Sequence, residues 1–204
     1  MLKKIFKMKL LFILSNIVHS IIDLVFIQEN QLTGLHGNVL FGGLAFGGKN
    51  LRDISSAAVD NLGRLVVIDG DAKDALVYDR LGHFLAPLNI NRPKVVRCFE
   101  DRIYVVPNNA SDVISVNGKL TQKTNLPTGL NQIIDFCFDS FGHMYVLSSK
   151  GNVLTIFDLD GHRRTTINLK SGGYPLKQAH ALAVDRAGAI YLVDRKGGAV
   201  YRFY

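Results

Sequence analysis

Residues 133–169 read IIDFCFDSFGHMYVLSSKGNVLTIFDLDGHRRTTINL, and they form one complete module. An apolar run ends in Asp139 and is followed by the turn Asp139-Ser140-Phe141-Gly142, the run Met144–Leu147 and a loop, Ser148–Asn152. A third run, Val153–Phe157, leads into a second turn, Asp158-Leu159-Asp160-Gly161. Asp followed three residues later by Gly suits a type I turn: the carboxylate accepts from nearby backbone, and Gly takes the left-handed conformation at the last position. The flanking runs are rich in Val, Ile, Tyr, Phe and Leu, which favour strands. Apolar residues at both parities predict strands covered on both faces, and no stretch of helical periodicity competes.

The module recurs. Residues 54–88 superimpose on it, with Asp60-Asn61-Leu62-Gly63 matching the first turn and Asp79-Arg80-Leu81-Gly82 the second. A degenerate copy spans Val95–Leu126, with a shortened turn at Glu100-Asp101-Arg102 and a clipped one at Asn117-Gly118. A last copy, Ala179–Tyr204, carries Asp185-Arg186-Ala187-Gly188 and stops after its third strand. The acids at 60, 100, 139 and 185 are spaced by 40, 39 and 46 residues, a period in the range of propeller blades. The expected fold is therefore all-β, a β-propeller of about four four-stranded blades over residues 39–204. Ring closure has two readings: the glycine-bearing stretch Val39–Phe46 pairs with Ala199–Phe203, or the chain is part of a six-bladed ring.

Aligned columns predict packing. Ala58, Cys98, Cys137 and Ala183 form a small column, and Val59, Phe99, Phe138 and Val184 a large one. First strands of adjacent blades stand farther apart than the roughly 7 Å Cα limit for a bridge, so Cys98 and Cys137 are read as buried packing residues rather than a disulfide.

Of the net charge of +7, four units come from Lys3, Lys4, Lys7 and Lys9, which leaves +3 and makes a nucleic-acid partner unlikely. The lysine-rich start and the apolar run from Leu10 read as a signal peptide over residues 1–20, or as an uncleaved membrane anchor, followed by a linker at 21–38. The expected location is thus extracytoplasmic, secreted or periplasmic, with the membrane touched only through an uncleaved N-terminus.

The segments AVDNLGRLVVID (58–69), CFDSFGHMYVLSS (137–149) and AVDRAGAIYLVD (183–194) resemble the NHL-type repeat of β-propellers, and FGGLAFGG (41–48) is similar to that family's Phe-Gly segment. The resemblance covers about residues 39–204 and implies a propeller, in that family usually of six blades; it is specific for fold and not for ligand. Some families similar to it are lyases or lactone hydrolases with a metal site at the central channel, which gives the alternative reading of a metal-dependent enzyme. Their ligand positions do not map onto matching residues here.

No Gly-rich phosphate loop, GxSxG elbow or HExxH motif is present, so neither catalytic residues nor a cofactor nor metal ligands are assigned. The acid column is read as turn formers. His180 stands apart because it opens an inner strand, though a lone His lacks the further ligands a metal needs. Loops on a fixed scaffold are where recognition usually sits. In a propeller, those between second and third strands and between blades gather at one end. They carry the candidate binding residues Lys73, Arg92, Lys94, Asn108, Lys150, Arg195 and Lys196, with His180 beside them. A mildly basic face of this kind suits a protein or small ligand of acidic character, and a homo-oligomer completing a larger ring is a further expectation.

Overall fold

The computed structural model describes residues 54–71, 73–148, 152–171 and 176–204, together with the backbone of three short strands between residues 26 and 42. Those three, β1 (Phe26–Gln28), β2 (Gln31–Thr33) and β3 (Val39–Gly42), make a small antiparallel sheet in the order β1-β2-β3. Two of its strands fall inside the stretch 21–38 that the sequence reads as a linker.

Four antiparallel sheets follow, arranged as a propeller. Blade 1 is β4 (Ile54–Val59), β5 (Leu65–Asp69), β6 (Asp74–Tyr78) and β7 (Phe84–Pro87). Blade 2 is β8 (Pro93–Phe99), β9 (Arg102–Pro107), β10 (Asp112–Asn117) and β11 (Lys123–Pro127). Blade 3 is β12 (Asp135–Phe138), β13 (Met144–Ser148), β14 (Val153–Phe157) and β15 (Arg163–Asn168). Blade 4 has three strands, β16 (Ala179–Val184), β17 (Ile190–Asp194) and β18 (Ala199–Phe203).

The blades are glued face to face by apolar side chains. Ala58, Val66, Ile68 and Val77 of blade 1 meet Val96, Ile103, Val105 and Val116 of blade 2. Between blades 2 and 3 the core is aromatic: Phe138 lies 5.0 Å from Phe99, 4.6 Å from Tyr104 and 5.9 Å from Phe136, ring centre to ring centre. Cys137, Leu147 and Leu154 of blade 3 meet Leu182, Val184 and Leu192 of blade 4.

The turns form as their residues dictate. In each Asp-x-x-Gly turn the glycine N–H donates to the aspartate carbonyl, and Gly63, Gly82, Gly142, Gly161 and Gly188 hold φ between 74° and 90°. The clipped turn of blade 2 works differently from the expectation. It spans Asn117–Leu120: Asn117 plays the aspartate, accepting from Thr121 N–H (2.9 Å) and Gln122 N–H (3.1 Å), and Leu120 takes the left-handed place at φ 61°.

Two expectations are corrected. Val39–Gly42 pairs with β2, its near neighbour in sequence, and not with Ala199–Phe203; residues 43–46 lie outside those described. Pairing across a short connection costs far less loop entropy than joining segments more than 150 residues apart. The packing columns also slip by one in blade 2. Pairing sets Val59 opposite Leu65, Cys98 opposite Ile103 and Phe138 opposite Met144, so Cys98 belongs with the large residues and Arg97 stands in the small column. The cause is the two-residue turn Glu100-Asp101, which is shorter than the others, and a one-residue shift moves every side chain to the other face. The cysteines remain packing residues: Cys98 sits between blades 1 and 2, Cys137 between blades 3 and 4, and burial pushes both thiols up.

A basic cleft where the loops of blades 1 and 2 converge

The inner strands carry the site. Three of them break register one residue from their start, leaving Ser55 in β4, Lys94 in β8 and His180 in β16 as bulge residues. A bulge re-aims one side chain without ending the strand. The three are equivalent: each lies five residues before the column of Asp60, Phe99 and Asp185 once the slip in blade 2 is allowed for.

Around the first two bulges the loops close on one another. Arg92 N–H donates to the Lys73 carbonyl (3.1 Å), and Asn108 N–H donates to the Arg92 carbonyl (2.7 Å). Asp74 gathers the linker between the blades, accepting from Asn89 N–H and Ile90 N–H at 3.0 Å each. The result is a cleft of about 490 Å³ lined by Ser55, Asp69, Gly70, Lys73, Arg92, Pro93, Lys94 and Asn108, a size suited to small ligands. Lys73, Arg92 and Asn108 are exposed, whereas Asp69 is buried and accepts from Asp71 N–H at 3.1 Å.

Lys94 is half-buried. Its ammonium donates to the Ile133 carbonyl (3.1 Å); burial lowers its pKa, and the nearby Asp135 carboxylate partly offsets that. Asp135 itself ties three blades together. It takes Arg97 at 2.6 Å from β8, and its other oxygen accepts from Leu182 N–H (3.0 Å) in β16. The pair is not legible in the sequence, because the short turn of blade 2 moves Arg97 out of its apparent column.

Of the eight candidate residues, Lys73, Arg92, Lys94 and Asn108 are brought together in the cleft. Arg195 and Lys196 lie in the exposed turn of blade 4, where buried Asp194 orders the chain. Burial would raise the Asp194 carboxyl, but N–H donors from Lys177, Gln178, Lys196 and Gly197 outweigh it and hold it low. His180 is exposed on β16. Lys150 lies outside the described residues. Ser55 and Asp69 were not among the candidates, and the signal that finds Ser55 is its place five residues before Asp60. Among the described residues, the acidic and His side chains close enough to share a metal ion are Asp158, Asp160 and His162, all in one hairpin turn of blade 3.

The acid column is structural. Oδ1 of Asp60 accepts from Leu62 N–H and Arg64 N–H, and Oδ1 of Asp139 from Phe141 N–H and His143 N–H. The second oxygen pairs with the side chain four residues on: Arg64 with Asp60 at 2.6 Å, His83 with Asp79 at 2.9 Å, His143 with Asp139 at 2.8 Å.

Comparison with known proteins agrees with the propeller fold. A family model described as SdiA-regulated matches residues 100–203, half of the chain. No curated protein matches the sequence. Among solved structures, the WD40 β-propeller domain of Doa1 is similar at TM-score 0.68 and 9% identity, over 89% of this chain and 60% of that one. A chain of the nidogen/laminin complex is similar at 0.68 and 16%, over 89% and 70%. Streptogramin B lyase is similar at 0.59 and 12%, over 92% and 66%. At these identities the likeness is one of fold alone, and the chain spans 60% of the length of the Doa1 propeller.

Proposed function

The chain belongs to the SdiA-regulated family, and from its basic loop end we propose that it is an extracytoplasmic interaction scaffold that binds an acidic partner across that end. The observation that carries the reading is the convergence of Lys73, Arg92 and Asn108, from three loops of two blades, with Lys94 of β8 in one cleft. Four sheets stacked through apolar faces form a fixed support, and recognition concentrates on the loops such a support displays. The exposed cations Lys73, Arg92, Arg195 and Lys196 at the loop end favour acidic partners, since they raise local concentration and rate of encounter. Export rests on the lysine-rich, apolar N-terminal segment. Kinship with the NHL-type propellers rests on the Ala-Val-Asp and Ile-Tyr-Leu-Val-Asp segments of blade 4.

The test is titration of the full chain with a fluorescent polyglutamate peptide, read by anisotropy at rising salt. Binding is expected to weaken with salt. It should fall further in a Lys73→Glu/Arg92→Glu variant and in an Arg195→Glu/Lys196→Glu variant. Affinity indifferent to both charge reversals would overturn the reading.

A further inference from the structure

Left-handed backbone outside glycine gathers around the cleft. Among the described residues, seven that are not glycine hold a left-handed backbone: Lys73, Asn89, Arg92, Glu100, Asn109, Leu120 and Gln132. Four of these, Lys73, Asn89, Arg92 and Asn109, lie in the loops around the cleft, and Lys73 (φ 54°) and Arg92 (φ 48°) line it directly. In this conformation the β-carbon crowds the following carbonyl oxygen, a cost glycine avoids. In the tight turns of blades 1, 3 and 4 the chain takes the same conformation with glycine, from Gly63 to Gly188, whereas the shortened turns of blade 2 hold Glu100 and Leu120 there. At 73 and 92 it keeps a lysine and an arginine instead. Side chains held at a conformational cost, beside a cavity, point to work done by those side chains.

We propose that this cleft is an oxyanion site, in which Lys73 and Arg92 clamp the carboxylate or phosphate group of a small ligand. The hydrogen bond from Arg92 N–H to the Lys73 carbonyl fixes the two backbones against each other, so both side chains start from one side of the cleft. Asn108 adds an amide to the lining, and Lys94 a half-buried charge. Arg supplies a planar fork and Lys a point charge, the pairing that recurs around phosphate and carboxylate groups. Asp69, the one acid of the lining, is buried and bonded to backbone, so the exposed charges of the cleft are cationic. The inference rests on the loop-end reading and narrows it to a ligand class.

Calorimetric titration of the full chain with inorganic phosphate and, separately, with succinate tests it. The wild type is expected to take one equivalent of at least one of them; phosphate alone would assign a phosphate ligand, succinate alone a carboxylate. The Lys73→Gly/Arg92→Gly variant should unfold at higher temperature yet bind roughly tenfold more weakly, the loss expected for charge-assisted hydrogen bonds. Gln132→Gly, away from the cleft lining, should raise the unfolding temperature and leave anion binding intact. Failure of both anions to bind the wild type at millimolar concentration, or undiminished binding in the double variant, overturns the proposal. The Arg195→Glu/Lys196→Glu variant separates the two readings, since it should lose polyglutamate affinity while keeping the small anion. Wild-type protein that binds phosphate or succinate but no polyglutamate would sink the scaffold reading and leave the cleft standing.

Discussion

The aspartates at the two ends of the propeller do opposite work. At the turn end, Asp60, Asp79, Asp139 and Asp185 accept from backbone N–H groups two and four residues on, and each completes its own turn. At the loop end, Asp74 reaches 15 and 16 residues along the chain, Asp194 reaches 16 and 17, and Asp135 reaches 38 to Arg97 and 47 to Leu182. One end is assembled from local chemistry, the other by joining segments that are distant in sequence. A binding cleft needs the second kind of assembly, because its walls come from different blades. The loop end is therefore where a single substitution travels furthest.

The sharpest test of that contrast is Asp135→Ala. It strips a partner from Arg97 and leaves a half-buried guanidinium beside the core, with the Leu182 N–H orphaned. Breaking such a buried pair costs about 3–5 kcal/mol. Urea titration should show it, and the cleft should loosen with it, since Lys94 draws on the same carboxylate. Asp79→Ala, which disturbs one exposed turn, should move the midpoint far less. Equal losses from the two would remove the distinction between the ends.

Next in size is Gly142→Ala. Gly142 sits at φ 90°, and a β-carbon there would lie 3.0 Å from Leu159 Cδ1 and 3.6 Å from Phe99 Cε1. Left-handed strain of about 1–2 kcal/mol then adds to crowding of about 1–3 kcal/mol. Gly188 holds nearly the same φ, 85°, with open space around it, so Gly188→Ala should show the strain alone. Chemical denaturation of the two variants reads the difference as the packing contribution of one turn.

Acid should destabilise the fold, and most of the carboxylates responsible sit at the turn end, with Asp194 at the loop end. The Asp79 carboxyl is held low by its bond to His83, and that of Asp185 by the Ala189 N–H; at Asp139 and Asp158 bonds from His143 and His162 outweigh a burial that raises them. Folded-state values below the unfolded ones mean that the unfolded chain binds more protons. The stabilisation is then whole above the ordinary carboxylate range, near pH 4, and is lost as pH falls through the folded values. Circular dichroism against pH should show a plateau above about pH 5 and a decline below about pH 4. Asp139→Asn should shallow that decline; an unchanged slope would separate acid unfolding from the turns.

The same split explains what could be read in advance. The Asp-x-x-Gly turns, the four blades and the loops that carry Lys73, Arg92 and Asn108 follow from residues close in sequence, where turn chemistry and period suffice. Cys98 falls in the wrong column on sequence alone because a two-residue turn carries no mark of its register until β8 and β9 pair. The equivalence of Ser55, Lys94 and His180 stayed hidden for a like reason: a bulge belongs to a pair of strands, and no single strand announces it. Arg97 and Asp135, 38 residues apart, meet only when blade 2 stacks on blade 3. Legibility ran out where a feature depends on how two strands or two blades meet.

The smallest expected effect bears on why the loop end tolerates its backbone. Asn109 holds φ 59° beside Asn108, and asparagine visits this region at little cost because its short amide bonds locally. Asn109→Gly should therefore change stability by only a few tenths of a kcal/mol, relief of strain being offset by the greater freedom of glycine in the unfolded chain. Lys73→Gly has more strain to relieve and should gain roughly 0.5–1 kcal/mol by the same reckoning. Thermal unfolding of the pair reads the difference between a residue suited to its conformation and one kept there against preference. If Asn109→Gly gains as much as Lys73→Gly, the cost at 73 reflects the loop and not its lysine, and the contrast with the glycine turns loses its functional meaning.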